Sequence, residues 1–159
     1  MIFVTVGSQK FQFNRLLIEI DRLVEKGKIT EEVFAQTGYS DYEPRNYEYK
    51  NFLDRDEFSD IMSKCDKVIT HGGTGAIIGA AKNEKKIIAV PRLVKFGEHV
   101  DDHQLQITEQ FKKMKFAEAV KEIDEIESAL EKIKQIKFNS YVSNTKNIIK
   151  KIEEFLIEE

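Results

Sequence analysis

The sequence contains one cysteine, two prolines and no tryptophan among its 159 residues. The single thiol, Cys65, excludes an internal disulfide framework and is typical of a reducing compartment. No run approaches the roughly 20 apolar residues that span a bilayer, and the apolar start at 2–6 lacks the charged leader of a signal peptide. Because no repeat or Pro/Gly-rich tract indicates a linker, we expect one cytoplasmic domain over residues 1–159.

An excess of positive charge is also missing. The chain has 25 Lys and Arg residues against 28 Asp and Glu residues, which gives a formal net charge of -3. Proteins that bind nucleic acid through its phosphates are usually basic, so nucleic acid is not favoured as a partner. With 41% hydrophobic and 33% charged residues, the composition is typical of a globular protein that buries its own core.

Short apolar runs alternate with helical patterns along the whole chain. Strands are predicted at 2–6, 33–37, 47–52, 68–70, 87–90 and 116–120. Helices are predicted at 14–25, 54–64, directly after 71–75, at 103–115, around 123–133 and at about 143–157. This alternation predicts an α/β domain of Rossmann-like type, with a mostly parallel sheet of about five or six strands. The apolar stripe of the last helix is a candidate surface for docking on a partner.

A glycine-rich turn, HGGTG at 71–75, follows the fourth predicted strand. A strand that ends in glycines and opens a helix presents backbone N–H groups at the positive end of the helix, where anions and most often phosphates bind. The first predicted strand ends in a similar turn, on the same edge of a parallel sheet. The alternative is a tight turn that binds nothing. The candidate phosphate ligands at the two turns are Gly7, Ser8, Gly72, Gly73 and Thr74.

A polar loop follows the fifth predicted strand, and the carboxyl ends of parallel strands meet at one edge of a sheet. Its candidate site residues are Glu98, His99, Asp102, His103 and Gln104. Asp101 or Asp102 is also a candidate N-cap for the next helix. The two histidines lack a third and fourth ligand at suitable spacing, so no metal site is predicted. Arg92 and Lys95 flank the loop, either to attract a diphosphate or anionic lipid or simply as solvated loop residues.

Two separated segments carry a resemblance to a known family. VTVGSQKFQFNRLL near the start, and VITHGGTGAIIGA with KKIIAVPRLVKFGEHVDDHQLQ further on, resemble the C-terminal, donor-binding half of the family-28 glycosyltransferases of the GT-B fold. The resemblance runs from Met1 to about Val120, with both motifs in the expected order. Within the family the chain is most similar to split enzymes. These are the soluble subunit of the eukaryotic UDP-N-acetylglucosamine transferase acting on dolichol-linked sugar, and the small subunits of bacterial capsular and exopolysaccharide galactosyltransferase pairs.

The resemblance implies the donor-binding, catalytic subunit of an inverting glycosyltransferase. It implies a separate, membrane-anchored partner that binds the acceptor, and hence a peripheral position at the inner face of the plasma membrane. The implied donor is UDP-galactose, with UDP-N-acetylglucosamine as the alternative, and the implied acceptor is an undecaprenyl-diphosphate-linked saccharide. No cofactor is implied beyond the UDP-sugar substrate, and the absence of a DxD-type carboxylate pair agrees with chemistry that needs no metal.

The resemblance also implies roles for residues around the two turns. His71 matches a histidine near the donor phosphates or sugar, where it would orient the donor or stabilise charge; a histidine that caps its own turn is the alternative. His103 and Gln104, together with Asp102, match residues that contact the transferred sugar.

Two further points stay open at the level of sequence. Glu98 or His99 is a candidate catalytic base, unless the acceptor-binding half supplies it. Many relatives carry a ribose-binding glutamate where this chain has Gly79, and Glu98 is a candidate replacement.

A nucleotide-sensing subunit without catalytic activity is the alternative function. A dinucleotide-dependent oxidoreductase is disfavoured, because VGSQKF is not a GxGxxG motif.

Overall fold

Strands and helices alternate through the part of the chain that the computed structural model describes, which is residues 1–141 and residue 150. Apart from Lys150, the helix predicted at about 143–157 lies outside the described residues. The strands are β1 (Ile2–Thr5), β2 (Val33–Gln36), β3 (Glu48–Lys50), β4 (Lys67–His71), β5 (Lys86–Val90) and β6 (Glu118–Ala119). The helices are α1 (Asn14–Glu25), α2 (Arg55–Lys64), α3 (Thr74–Lys82), α4 (His103–Lys113) and α5 (Ile126–Lys132).

The six strands form one parallel sheet in the order β3-β2-β1-β4-β5-β6. Chain order therefore reverses at β1, which pairs with β2 on one side and with β4 on the other. In open parallel sheets, the crevice beyond the carboxyl ends of the strands at such a reversal is where ligands bind. This architecture confirms the predicted α/β fold and its parallel sheet.

Successive side chains of each strand point to opposite faces of the sheet, so both faces carry apolar residues, and helices cover both faces. One face packs against α1 and α5 and the other against α2, α3 and α4. The buried residues of the first face include Ile2, Val4, Leu16, Ile20, Ile69, Ile88 and Ile126. Those of the second face include Phe3, Met62, Val68, Ile77, Ile87 and Phe111. The helices thus cover both faces of the sheet and leave its two strand-end edges uncovered.

Capping chemistry fixes where several helices begin and end. Asp54 accepts the backbone N–H of Glu57 at 2.8 Å, and the Glu57 carboxylate accepts the backbone N–H of Asp54 in return, as in a capping box. Gly27 follows α1 with a φ of 73°, a left-handed conformation that glycine adopts without strain. The end of α1 and the start of α2 therefore lie within one residue of their predicted bounds.

The helix predicted at 103–115 and the strand predicted at 116–120 are among the elements that are shorter in the structure. The helix predicted at 103–115 ends at Lys113, because Lys115 turns the chain with a φ of 60° and Phe116 donates its N–H back to the carbonyl of Phe111. The last strand, predicted at 116–120, is reduced to the two residues of β6. None of the helices within residues 1–141 is both long enough and apolar enough to cross a membrane.

Candidate functional site

The two glycine turns meet at the carboxyl edge of the sheet, where β1 and β4 lie side by side. Thr5 pairs with Thr70 at the ends of these strands. The chain then enters the β1–α1 loop at Gly7 and the β4–α3 turn at Gly72. The structure therefore brings the two predicted turns together at the reversal in strand order.

The imidazole of His71 fills the space between the two turns. A β-carbon on Gly7 would lie 2.5 Å from Nε2 of His71, and one on Gly73 would overlap Cε1 of the same ring. Real side chains do not come this close, so both positions require glycine. Because the ring contacts both turns, it sets their separation.

His71 is neutral at physiological pH. Burial lowers its pKa to about 3, and the nearby positive charge of Arg92 adds to the effect. Charge stabilisation by an imidazolium, one of the two predicted tasks, is therefore disfavoured for the unliganded chain. Orientation by a neutral ring is consistent with the geometry.

Gln104 links three segments of the site from a buried position. Its Oε1 accepts the backbone N–H groups of Gly72 and Arg92, each at 3.0 Å. The oxygen is thereby identified, so Nε2, which lies 3.4 Å from Nδ1 of His71, must donate to that nitrogen. The neutral ring of His71 then carries its proton on Nε2, on the side of Gly7. With both ends of its amide engaged inside the protein, Gln104 is placed to hold the loops rather than to contact a sugar directly.

The backbone amides that remain for an anion lie at the start of α3. Gly72 donates its N–H to Gln104, which argues against the predicted role of this amide in binding phosphate. Gly73 is the N-cap of α3 and has no side chain to accept the first N–H groups of the helix. Thr74 is the first helical residue and is partly exposed, and Ser8 is exposed on the facing loop. Gly73, Thr74 and Ser8 thus stay candidates for binding a phosphate.

Glu98 and Arg92 are both fully buried, which the sequence analysis did not anticipate. The carboxylate of Glu98 forms a two-pronged pair with Arg15, with both N–O distances at 3.0 Å, and accepts the N–H of Leu93 at 3.0 Å. A carboxylate so enclosed and so fully hydrogen-bonded is a structural group. The structure therefore argues against Glu98 as the base and as the ribose ligand.

Arg92 is a buried clamp between loops and not a solvated loop residue. Its guanidinium donates to the carbonyl oxygens of Val6, Phe11, Gln12 and Glu98. Burial lowers its pKa to about 10, which leaves it charged at neutral pH. The alternative that Arg92 is a solvated loop residue is wrong, because its side chain has no exposed surface.

The rest of the polar loop lies nearer to solvent. His99 keeps 16% of its side chain exposed and packs against the ring of Phe11, with centroids 5.7 Å apart. Asp101 accepts the N–H of His103 at 2.9 Å at the start of α4, which is a local capping contact. Asp102 accepts the N–H of Val94 at 2.9 Å and so ties the loop to the helix. The partly exposed His103 opens α4.

An exposed aromatic pair beside the first glycine turn was missed by the sequence analysis. Tyr39 and Phe52 are 52% and 46% exposed, and their rings pack edge to face with centroids 5.1 Å apart. A β-carbon on Gly38 would lie 2.7 Å from the carbonyl oxygen of Gly7, so this pair adjoins the turn. The available signal was position, since both aromatics follow the ends of neighbouring strands.

Two other features bear on the choice of site. Within residues 1–141 there is no group of three or more His, Cys, Asp or Glu side chains that would hold a metal ion. A groove of about 540 Å³ lies at the opposite edge of the sheet and is lined by residues that include Lys85, Lys86, Lys134 and Lys137. The ammonium of Lys86 donates to the carbonyl of Ile133 at 2.6 Å, next to the end of α5. That contact is typical of helix termination, so the carboxyl edge remains the candidate site.

Comparison with known proteins adds a family to this geometry. The family model for the glycosyltransferase family 28 C-terminal domain matches residues 1–157. No curated protein sequence matches the chain.

Solved structures of similar fold include several glycosyltransferases. That of kitacinnamycin superimposes with a TM-score of 0.62 at 17% identity, over 83% of this chain and 34% of that one. The calicheamicin glycosyltransferase CalG4 superimposes with a TM-score of 0.57 at 16% identity, over 82% of this chain and 34% of that one. SnogD from Streptomyces nogalater gives 0.51 at 16% identity, over 84% of this chain and 38% of that one. The chain thus spans about a third of the length of these proteins, and at such low identity they establish the fold alone.

Proposed function

Because this chain belongs to the glycosyltransferase family 28 C-terminal domain, we propose that it binds a nucleotide-sugar donor and serves as the donor-binding part of a glycosyltransferase. Transfer of a sugar from a nucleoside diphosphate leaves a diphosphate on which negative charge develops. The site must therefore hold that charge, the sugar and the base of the nucleotide. Each requirement can be compared with a feature of the carboxyl edge.

The observation that carries the proposal is the start of α3 at the strand-order reversal. Gly73 caps the helix without a side chain, and the nine-residue helix behind it places a partial positive charge of about half a unit at this end. Fixed backbone dipoles of this kind stabilise a developing negative charge without needing to reorganise. The Nε2 proton of His71 lies between the two turns, where it would orient the diphosphate.

The nucleobase and the sugar would bind on either side of the diphosphate. The exposed edge-to-face pair of Tyr39 and Phe52 offers an apolar aromatic surface for a nucleobase. His103, at the start of α4 beyond the second turn, is our candidate for contact with the transferred sugar, with Asp102 and the buried Gln104 holding the loop around it. We propose a UDP-sugar as donor, UDP-galactose first and UDP-N-acetylglucosamine as the alternative.

We propose that the acceptor binds to another protein part and that the catalytic base is either His99 or a residue of that part. Within the described residues Glu98 is enclosed, which leaves His99 as the remaining predicted base of this chain. We propose a membrane-anchored acceptor-binding subunit, a lipid-linked saccharide as acceptor, a role in capsular or exopolysaccharide synthesis, and a peripheral position at the inner face of the plasma membrane. Chemistry without a metal or cofactor is part of the same proposal.

A nucleotide-sensing subunit is the second candidate function, and the enclosed position of Glu98 is the observation that favours it. Co-expression with the acceptor-binding subunit separates the two. If this chain is catalytic, transfer of labelled galactose requires both proteins and is lost in His103→Ala. If this chain only senses nucleotide, that substitution leaves transfer intact.

Calorimetry with UDP, UDP-galactose, UDP-N-acetylglucosamine and uridine tests the proposal on the isolated chain. We expect the three diphosphates to bind and uridine to bind at least about tenfold more weakly, because most of the contacts would be to the diphosphate. Equal binding of uridine and UDP, or no binding at millimolar ligand, would contradict a diphosphate site at α3.

A further inference from the structure

A two-pronged ion pair joins the first turn of α1 to the loop between β5 and α4. Nε of Arg15 donates to one oxygen of Glu98 and its NH2 group donates to the other, both at 3.0 Å. The same NH2 group donates to the carbonyl of Pro91 at 3.1 Å. Arg15 therefore holds both ends of the Pro91–Glu98 segment, which we call the braced loop.

Arg15 does not stabilise its own helix, as its position in the first turn of α1 shows. A cation in the first turn faces the positive end of the helix dipole, and α1 has no acidic residue in that turn to compensate. Its side chain is only 15% exposed, and that of Glu98 is not exposed at all. A charge placed against the dipole and out of water is stabilised by its partner, so the pair belongs to the tertiary structure of the loops.

A short series of hydrogen bonds connects this pair to the start of α3. Glu98 accepts the N–H of Leu93 through its side chain and a guanidinium N–H of Arg92 through its carbonyl. The backbone N–H of Arg92 donates to Gln104, and the same oxygen of Gln104 accepts the N–H of Gly72. Movement of the braced loop would therefore shift the turn that precedes the candidate phosphate site.

We propose that Arg15 is a positioning residue, which fixes the β4–α3 turn relative to the braced loop through Glu98, Arg92 and Gln104. The position of this turn determines how tightly the diphosphate is bound. This inference rests on the proposed donor-binding function. It assigns a role in ligand affinity to a side chain of α1 that acts through other residues.

The same helix provides a matched control. Arg22 forms a two-pronged pair with the buried Glu19, at 2.6 and 2.9 Å, three positions apart on α1. Arg15→Met and Arg22→Met each remove a guanidinium from a buried carboxylate. Only the first pair reaches the loops of the candidate site.

The experiment measures UDP affinity by calorimetry and amide hydrogen exchange at Gly72 and Arg92, on both variants and at a temperature where both are folded. We expect Arg15→Met to weaken UDP binding by about tenfold or more and to speed exchange at both amides. For Arg22→Met we expect affinity within about twofold of the parent chain, even if its thermal midpoint falls equally. Arg15→Lys, which keeps the charge but not the fork, should fall between the parent and Arg15→Met and serves if Arg15→Met does not fold.

The outcomes separate the two ideas. If the parent chain binds UDP and the two Met variants bind it equally well, the positioning role is overturned while the donor site stands. If the parent chain does not bind UDP, the donor site is overturned. The exchange rates then test whether Arg15 holds the β4–α3 turn in place. Faster exchange at Gly72 in Arg15→Met alone supports this role, and equal rates in the two variants overturn it.

Discussion

The ring of His71 occupies the space that a side chain on Gly73 would need, so the histidine and the glycine are fitted to each other across the β4–α3 turn. This contact gives the glycine-rich motif a physical cause. Gly73 is required because a buried imidazole lies against it, and Gly7 is required for the same reason on the other side. The spacing of the two turns, and hence the width of the candidate site, follows from one ring.

Substitution of Gly73 by alanine is expected to displace His71. The added β-carbon would overlap Cε1 of the ring, so Gly73→Ala should destabilise the fold by about 1–3 kcal/mol and weaken UDP binding. Gly79→Ala is the control on the same helix, since its β-carbon meets open space. It should leave binding unchanged and stabilise the helix by up to about 1 kcal/mol. Urea unfolding and calorimetry measure both effects, and equal behaviour of the two variants would contradict the fit.

Gln104 should matter for stability as well as for binding. Gln104→Leu leaves the buried N–H groups of Gly72 and Arg92 without an acceptor, at about 1–3 kcal/mol for each unsatisfied group. Gln104→Glu keeps an acceptor for both and should cost less. Gln106→Leu, an exposed position on α4, should stay within about 0.5 kcal/mol of the parent chain. Urea unfolding decides, and a Gln104→Leu protein as stable as Gln106→Leu would contradict the assigned contacts.

The extent to which the sequence predicted the molecule differs between its parts. The helix at 14–25 was predicted with the bounds it has, because its apolar residues recur at helical spacing and face one core. The two turns were placed on one edge, because parallel strands require it. The buried clamp of Arg92 was not foreseen, since its acceptors Phe11 and Gln12 lie 81 and 80 positions away. Periodicity reports which face is buried, but not which distant carbonyls a loop arginine will meet.

Arg92 is expected to be irreplaceable even by lysine. Its guanidinium serves four carbonyl groups from three segments, and an ammonium has three donors without the fixed fork. Arg92→Lys should therefore destabilise the protein by at least about 2 kcal/mol. Arg55→Lys, at an exposed position of α2, should change stability by no more than about 0.5 kcal/mol. A chemical denaturation series on both variants checks this, and similar midpoints would refute the clamp.

Stability is predicted to fall as the pH drops below about 6.5, because His71 can take up a proton in the unfolded chain but not in the folded one. Burial, with the charge of Arg92, holds its folded pKa at about 3, below its ordinary value of 6.5. The unfolded state therefore binds more protons between these values, and the free energy of unfolding should decrease by up to about 1.4 kcal/mol per pH unit. Urea unfolding at about pH 6.5 and about pH 5 measures the slope.

His71→Asn is the control for this pH dependence, and it should flatten the slope whatever its absolute stability. Carboxylates act in a lower window. The hydrogen bond from the N-terminal ammonium holds the pKa of Asp66 below its ordinary 3.8, so its contribution is present above that value and is lost only at lower pH. A slope that persists unchanged in His71→Asn would show that another group carries it.

The most direct test of the account follows backbone amide resonances while UDP is added to the intact chain. Binding of the diphosphate at the start of α3 should shift Gly73 and Thr74, together with Ser8 on the facing loop, along one saturable curve, while Gly27 at the opposite edge of the sheet stays still. If Ser8, Gly73 and Thr74 remain unmoved at millimolar UDP, or if the shifts fall instead on the lysine-lined groove around Lys86, the proposed donor site is contradicted.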